Sequence, residues 1–141
     1  MVAIEVEYQG ELHCSSRHAP SGSTLSTDAP ADNQGRGQAF SPTDLVATSL
    51  GTCMLTTMGI HARKSGIDLA GSRLHVVKEM AGPPRRVGRL VVTIDLPGAV
   101  PEAERPALRR LAETCPVALS LHPDLAVDLE MRYGAKGPAR T

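Results

Sequence analysis

Two cysteines in unlike settings are the residues of this sequence most able to do chemistry. Cys53 falls in the middle of an uncharged run, LVATSLGTCMLTTMGI, from Leu45 to Ile60, and Cys115 stands in ETCPVALSL. A thiol attacks as its thiolate, so it needs a cation, a helix N-terminus or a hydrogen-bond donor beside it. Cys53 lies mid-helix, where the dipole helps little. A cation must come from elsewhere, and Arg36 in a Gly-containing loop and Arg17 are the candidates. Cys115 precedes Pro116, which suits the first position of a helix. That places it near the positive end of a dipole, which should lower its pKa. Taken alone, this makes Cys115 the more acidic thiol. The competing reading of both is packing, since free cysteine is among the most buried residue types. Cys14 is expected in a strand, in a structural role.

The histidines say less. His61 follows Cys53, and His122 follows Cys115, each by about two helical turns. The sequence holds no CxxC and no HExxH, so no metal site is expected. His13, His18 and His75 fall on expected strands or turns and read as ordinary surface residues. The pairs Arg85-Arg86 and Arg109-Arg110 read as solvated.

Composition narrows the classes. The 141 residues carry 15 basic and 15 acidic side chains, and the aromatics are only Tyr8, Phe40 and Tyr133. The core must therefore be aliphatic. No basic block interleaved with aromatics suggests a nucleic-acid partner. The uncharged run is too short, and too rich in Gly, Ser and Thr, for a membrane span of about 20 residues. The N-terminus alternates and carries acids, unlike a secretory leader. A cytoplasmic protein is expected, whose thiols stay reduced and suit chemistry better than a disulfide framework.

The elements that must position the thiols follow from pattern. Val2, Ile4, Val6 and Tyr8 alternate with polar neighbours, the mark of a half-buried strand. Gln9-Gly10 breaks it, a second strand covers 11–18, and the turn Ala19-Pro20-Ser21-Gly22 leads to a third at 23–28. Residues 29–41 form a polar loop. Ser41 is a good N-cap, Pro42 suits the first position, and Asp44 stands at capping-box spacing. Arg63 and Lys64 suit the far end of the dipole and Gly66 the stop, giving a helix over 42–65. A helix apolar all round is buried on most sides. Residues 72–80 and 88–96 read as a hairpin. Pro101 and Glu102 open a helix with the stripe Leu108, Leu111 and Ala112. Pro116 starts a short helix, 116–121, and a last strand runs from Leu125 to Tyr133. This order implies an α+β fold, an antiparallel sheet with helices packed on it. It makes a single domain over 1–133 with a disordered tail, 134–141. The uncharged helix has more apolar surface than one small sheet can cover, which points to a homodimer.

Ser41-Pro42-Thr43-Asp44-Leu45, Leu50-Gly51-Thr52-Cys53 and Cys115-Pro116-Val117 together resemble the OsmC/Ohr family. Gly22 with Leu25-Ser26-Thr27-Asp28-Ala29-Pro30 resembles its OsmC-like branch. The resemblance runs from the first strand to the last. It implies an intertwined α+β homodimer with the cysteine-bearing helices central. It also implies a peroxiredoxin-like organic hydroperoxide reductase serving oxidative stress defence, with no metal or organic cofactor. By that resemblance Cys53 is the peroxidatic thiol and Cys115 the resolving thiol; the family's activating arginine has no matched position in this sequence, and Arg36 in the loop is the residue taken for it. An apolar pocket near Cys53 takes the hydroperoxide, and a dithiol reductant closes the cycle. This order of roles opposes the dipole argument. One position departs from the pattern: family peroxidases carry a Glu directly after the motif proline, and Thr43 stands there. The alternative it supports is an OsmC-like dimeric thiol protein without peroxidase activity, acting in binding or other thiol chemistry. A purely structural dimer is a third.

Overall fold

The structure, a computed structural model, describes residues 1–134. The tail expected to be disordered, 134–141, lies outside them apart from Gly134. Internal contacts divide the chain into two compact units, Met1–Val46 and the part from Ala47 onward.

The first unit is an antiparallel sheet of β1 (Ile4–Tyr8), β2 (His13–His18) and β3 (Thr24–Asp28), in that order. Register places Tyr8 opposite Cys14 and Cys14 opposite Thr27, and likewise Val6 opposite Ser16 and Ser16 opposite Leu25. Directly opposed residues share a face, so Ile4, Val6, Tyr8, Cys14 and Leu25 line one side of the sheet. The expectation for β1 was half-burial, yet Ile4, Val6 and Tyr8 are each more than 60% exposed. Alternation specified the strand, but its apolar side is exposed among the described residues. After β3 the chain makes a loop with one short 3-10 turn, Ala31–Asn33.

Helix α1 (Pro42–Lys64) starts on the expected cap. The Ser41 hydroxyl accepts the Asp44 N–H at 3.1 Å, and the Asp44 carboxylate accepts the Ser41 N–H at 2.8 Å. That is the reciprocal capping box with Asp in the acidic place. Ala47, Leu50, Gly51, Met54, Met58 and Ala62 are buried, at the i, i+3, i+4 spacing of one helix face. Thr52, Thr56 and Ile60 are exposed, so the uncharged helix is covered on one side only. By length and composition alone α1 could cross a membrane; a core helix meets the same test, and its buried face lies in the aliphatic core.

The second unit also holds β4 (Arg73–Ala81), β5 (Arg86–Leu96), α2 (Arg105–Glu113), α3 (Pro116–Ser120) and β6 (Ala126–Tyr133). Leu90, Val92, Ile94 and Leu96 of β5 are buried and meet the inner face of α1, with Leu108 and Ala112 of α2, in one core. The expected antiparallel sheet is corrected here. Among the described residues there are two three-stranded sheets, and although β4 pairs antiparallel with β5, β6 runs parallel to β5. A parallel pair needs a crossover of a dozen or more residues, and the stretch carrying α2 and α3 is that crossover.

Candidate functional site

Cys53 and Cys115, far apart in sequence, are brought together in the second unit. Cys53 stands on α1 between its buried stripe and its exposed one, and is part-exposed. It packs against the core that contains Cys115. Its Sγ lies 4.0 Å from the Thr57 hydroxyl, one turn further along. Cys115 is the N-cap of α3, with Pro116 at the first helical position as expected. The chain reaches it through the end of α2, where the Thr114 hydroxyl donates to the Arg110 carbonyl at 2.6 Å. The Leu119 N–H then donates to the Cys115 carbonyl at 3.0 Å and begins α3. All three cysteines are free thiols.

The acidity expected of Cys115 is overturned. Its side chain is completely buried. Loss of solvent, chiefly, and then the neighbouring Cys53 push the Cys115 thiol up, while the Ala118 and Val117 amides pull the other way. Desolvation wins because a five-residue helix has only a small dipole to set against it.

The candidate cations lie in the first unit. Arg36 is exposed on the loop after β3. Arg17 is on β2 and faces Glu5 at 3.6 Å, both exposed. Thr43, at the position where family peroxidases carry Glu, has its hydroxyl 3.2 Å from that of Ser41 in the α1 cap. The two histidines set beside the cysteines by spacing have other partners. His61 Nε2 lies 2.9 Å from Glu104 Oε2, and His122 Nδ1 accepts the Asp124 N–H at 3.1 Å. An open pocket of about 560 Å³ lies along α1 and the turn after it, lined by Leu55, Ala62, Arg63, Ile67 and Leu69 among others, and neither cysteine lines it.

One pair escaped the sequence reading. His13 Nδ1 meets Asp28 Oδ1 at 2.6 Å, and Asp28 is buried. The signal was present: a β2–β3 turn centred between Pro20 and Ser21 sets residue 13 opposite residue 28, which is the observed register.

A family model described as OsmC-like protein matches residues 35–130. Among solved structures, a Psychrobacter arcticus 273-4 protein named for osmotic stress induction and detoxification response is 45% identical. It superposes with a TM-score of 0.90 over 94% of this chain and 96% of that one. The organic hydroperoxide resistance protein OsmC of Legionella pneumophila shares 18% identity, with a TM-score of 0.71 over 94% and 96% of the two chains. The organic hydroperoxide resistance protein OhrB of Bacillus subtilis shares 14%, with a TM-score of 0.68 over 94% and 98%. At those identities the last two establish likeness of fold. No curated protein matches the sequence.

Proposed function

Since this chain belongs to the OsmC-like protein family, we propose that it is a thiol-dependent peroxidase that reduces organic hydroperoxides, with Cys53 attacking and Cys115 resolving. The observation that carries this reading is the pairing of a part-exposed Cys53 with a neighbouring buried Cys115, whose thiol pKa is pushed up by burial. A peroxide arriving from solvent meets Cys53 first. The Cys53 thiolate attacks the distal oxygen of ROOH, the O–O bond breaks, and the alkoxide leaves as ROH after taking a proton. Cys53 is then a sulfenic acid. The Cys115 sulfur attacks it, water leaves, and a disulfide forms. A dithiol returns both thiols by exchange. Two electrons pass from the thiols to the peroxide, and no cofactor is required.

Arg36 is assigned the activating role because it is an exposed arginine on the loop that leads into α1. The molecule acts as a homodimer in the cytoplasm. The uncovered apolar face of β1–β3 and the uncharged outer face of α1 support a second copy as partner. Thr43 favours the other reading, a dimeric thiol protein of this family without peroxidase activity, because the carboxylate that would hold the arginine is missing. The test is turnover of cumene hydroperoxide by the purified protein with dithiothreitol or dihydrolipoamide. Multiple turnovers that vanish in Cys53→Ser support the peroxidase. Two intact free thiols after excess hydroperoxide would leave the binding protein standing.

A further inference from the structure

The loop from Ala29 to Phe40 is closed on itself by four contacts at its neck. The Asp28 N–H donates to the Phe40 carbonyl at 3.1 Å, the Gly37 N–H to the Ala29 carbonyl at 3.3 Å, and the Gly35 N–H to the Pro30 carbonyl at 3.0 Å. The fourth uses a side chain: the Gln38 N–H donates to Asp28 Oδ2 at 3.1 Å. The Ala29 N–H also bonds the Leu12 carbonyl, tying the neck to the β1–β2 turn. Gly35 packs so closely on Ala29 that a Cβ there would overlap its carbonyl. Residues 35, 37 and 38 are therefore all pinned, and they flank Arg36.

Asp28 is 3% exposed. A buried carboxylate is costly unless both oxygens are satisfied, and here they are, by His13 and by Gln38. The His13 contact, and less strongly the Gln38 amide, hold it below the usual carboxylate range against the effect of burial. The Arg36 charge acts on Asp28 in the same direction. Yet Arg36 makes no hydrogen bond or ion pair among the described residues. The carboxylate holds the backbone beside Arg36 without hydrogen-bonding its guanidinium.

We infer that Asp28, oriented by His13, is a positioning residue that sets the Arg36 loop for its work on the reactive thiol. This rests on the reading of Arg36 as the activating cation. The full-length reduced protein is compared as wild type, Arg36→Ala, Asp28→Ala and Asp28→Asn. Two quantities are measured: tryptic cleavage after Arg36 relative to cleavage after Arg17, and the pH midpoint of Cys53 alkylation, located by peptide mapping. In Asp28→Ala, cleavage after Arg36 should rise roughly tenfold or more, because cleavage tracks the open population of the loop. The Cys53 midpoint should move up toward that of Arg36→Ala, and Asp28→Asn, which keeps one acceptor, should recover part of both changes. If Asp28→Ala does not fold by circular dichroism, Asp28→Asn is read against wild type for the same two shifts. Unchanged cleavage overturns the proposal. So does a wild-type midpoint in a folded Asp28 variant while Arg36→Ala shifts, and the peroxidase reading then stands. An unshifted midpoint in Arg36→Ala removes both the role of Arg36 and that of Asp28.

Discussion

Cys115 is sealed in the core against Cys53, which stays open to solvent on the shoulder of α1. The proposed order of reaction follows their burial. In the proposed order the part-exposed sulfur meets peroxide, and the buried one, whose pKa burial pushes up, resolves it. Position at a helix end argued for the opposite order. Against that argument stands removal from water, which acts on the whole Cys115 thiol and raises its pKa, whereas a five-residue helix offers only a weak field.

The first prediction follows from that order. Cys53→Ser consumes no hydroperoxide above background. Cys115→Ser consumes roughly one equivalent and stops, with Cys53 accumulating as sulfenic acid or passing to sulfinic acid. Single-turnover consumption and intact mass decide it. A burst from Cys53→Ser with none from Cys115→Ser would reverse the roles.

Treatment of wild type with one equivalent of organic hydroperoxide should remove the Cys53 and Cys115 thiols together and leave Cys14 free. Cys14 lies on β2 in the first unit, opposite Tyr8 and Thr27. Peptide mapping that finds Cys53 joined to Cys14, or no intramolecular disulfide, contradicts the pairing.

Much of this architecture can be read from residue pattern, and the exceptions have physical causes. Leu90, Val92, Ile94 and Leu96 alternate in sequence and are all buried in β5. Ser41, Pro42 and Asp44 mark the start of α1, and the capping contacts are there. Local chemistry dictates both. Strand direction is different: alternation in β6 reads the same parallel or antiparallel, and only the long helical connection from β5 argues for parallel. The exposure of Ile4 and Val6 depends on what covers a face, which no strand encodes by itself. The thiol pair follows the same divide. The motifs around Cys53 and Cys115 pick out both residues, but their adjacency and the burial that orders them arise only on folding.

Burial of Cys115 also carries a pH signature. Its folded pKa lies above the unfolded value, so the folded state keeps a proton that the unfolded state gives up. The associated stability is fully present below the unfolded thiol pKa, about 8.5, and is lost as pH rises through the folded value. Wild type should therefore lose Tm from pH 8 to 10 more steeply than Cys115→Ala, which has no thiol to ionise. Parallel Tm profiles for the two proteins would show that the buried thiol does not titrate in this way.

The last prediction concerns the uncovered sheet face. Val6 is 65% exposed at the middle of β1, with Ile4 and Tyr8 on either side of it on the same face. Within one chain a charge at this position meets water and costs little, as surface substitutions do. Against a second copy the same charge is buried without a partner, at a cost of several kcal/mol per interface. Val6→Lys should therefore keep the wild-type far-UV circular dichroism while weakening self-association by roughly a hundredfold or more. Sedimentation velocity across micromolar concentrations measures it. A Val6→Lys protein that sediments as wild type does would place the partner elsewhere, and a wild type that is monomeric throughout that range would remove the dimer itself.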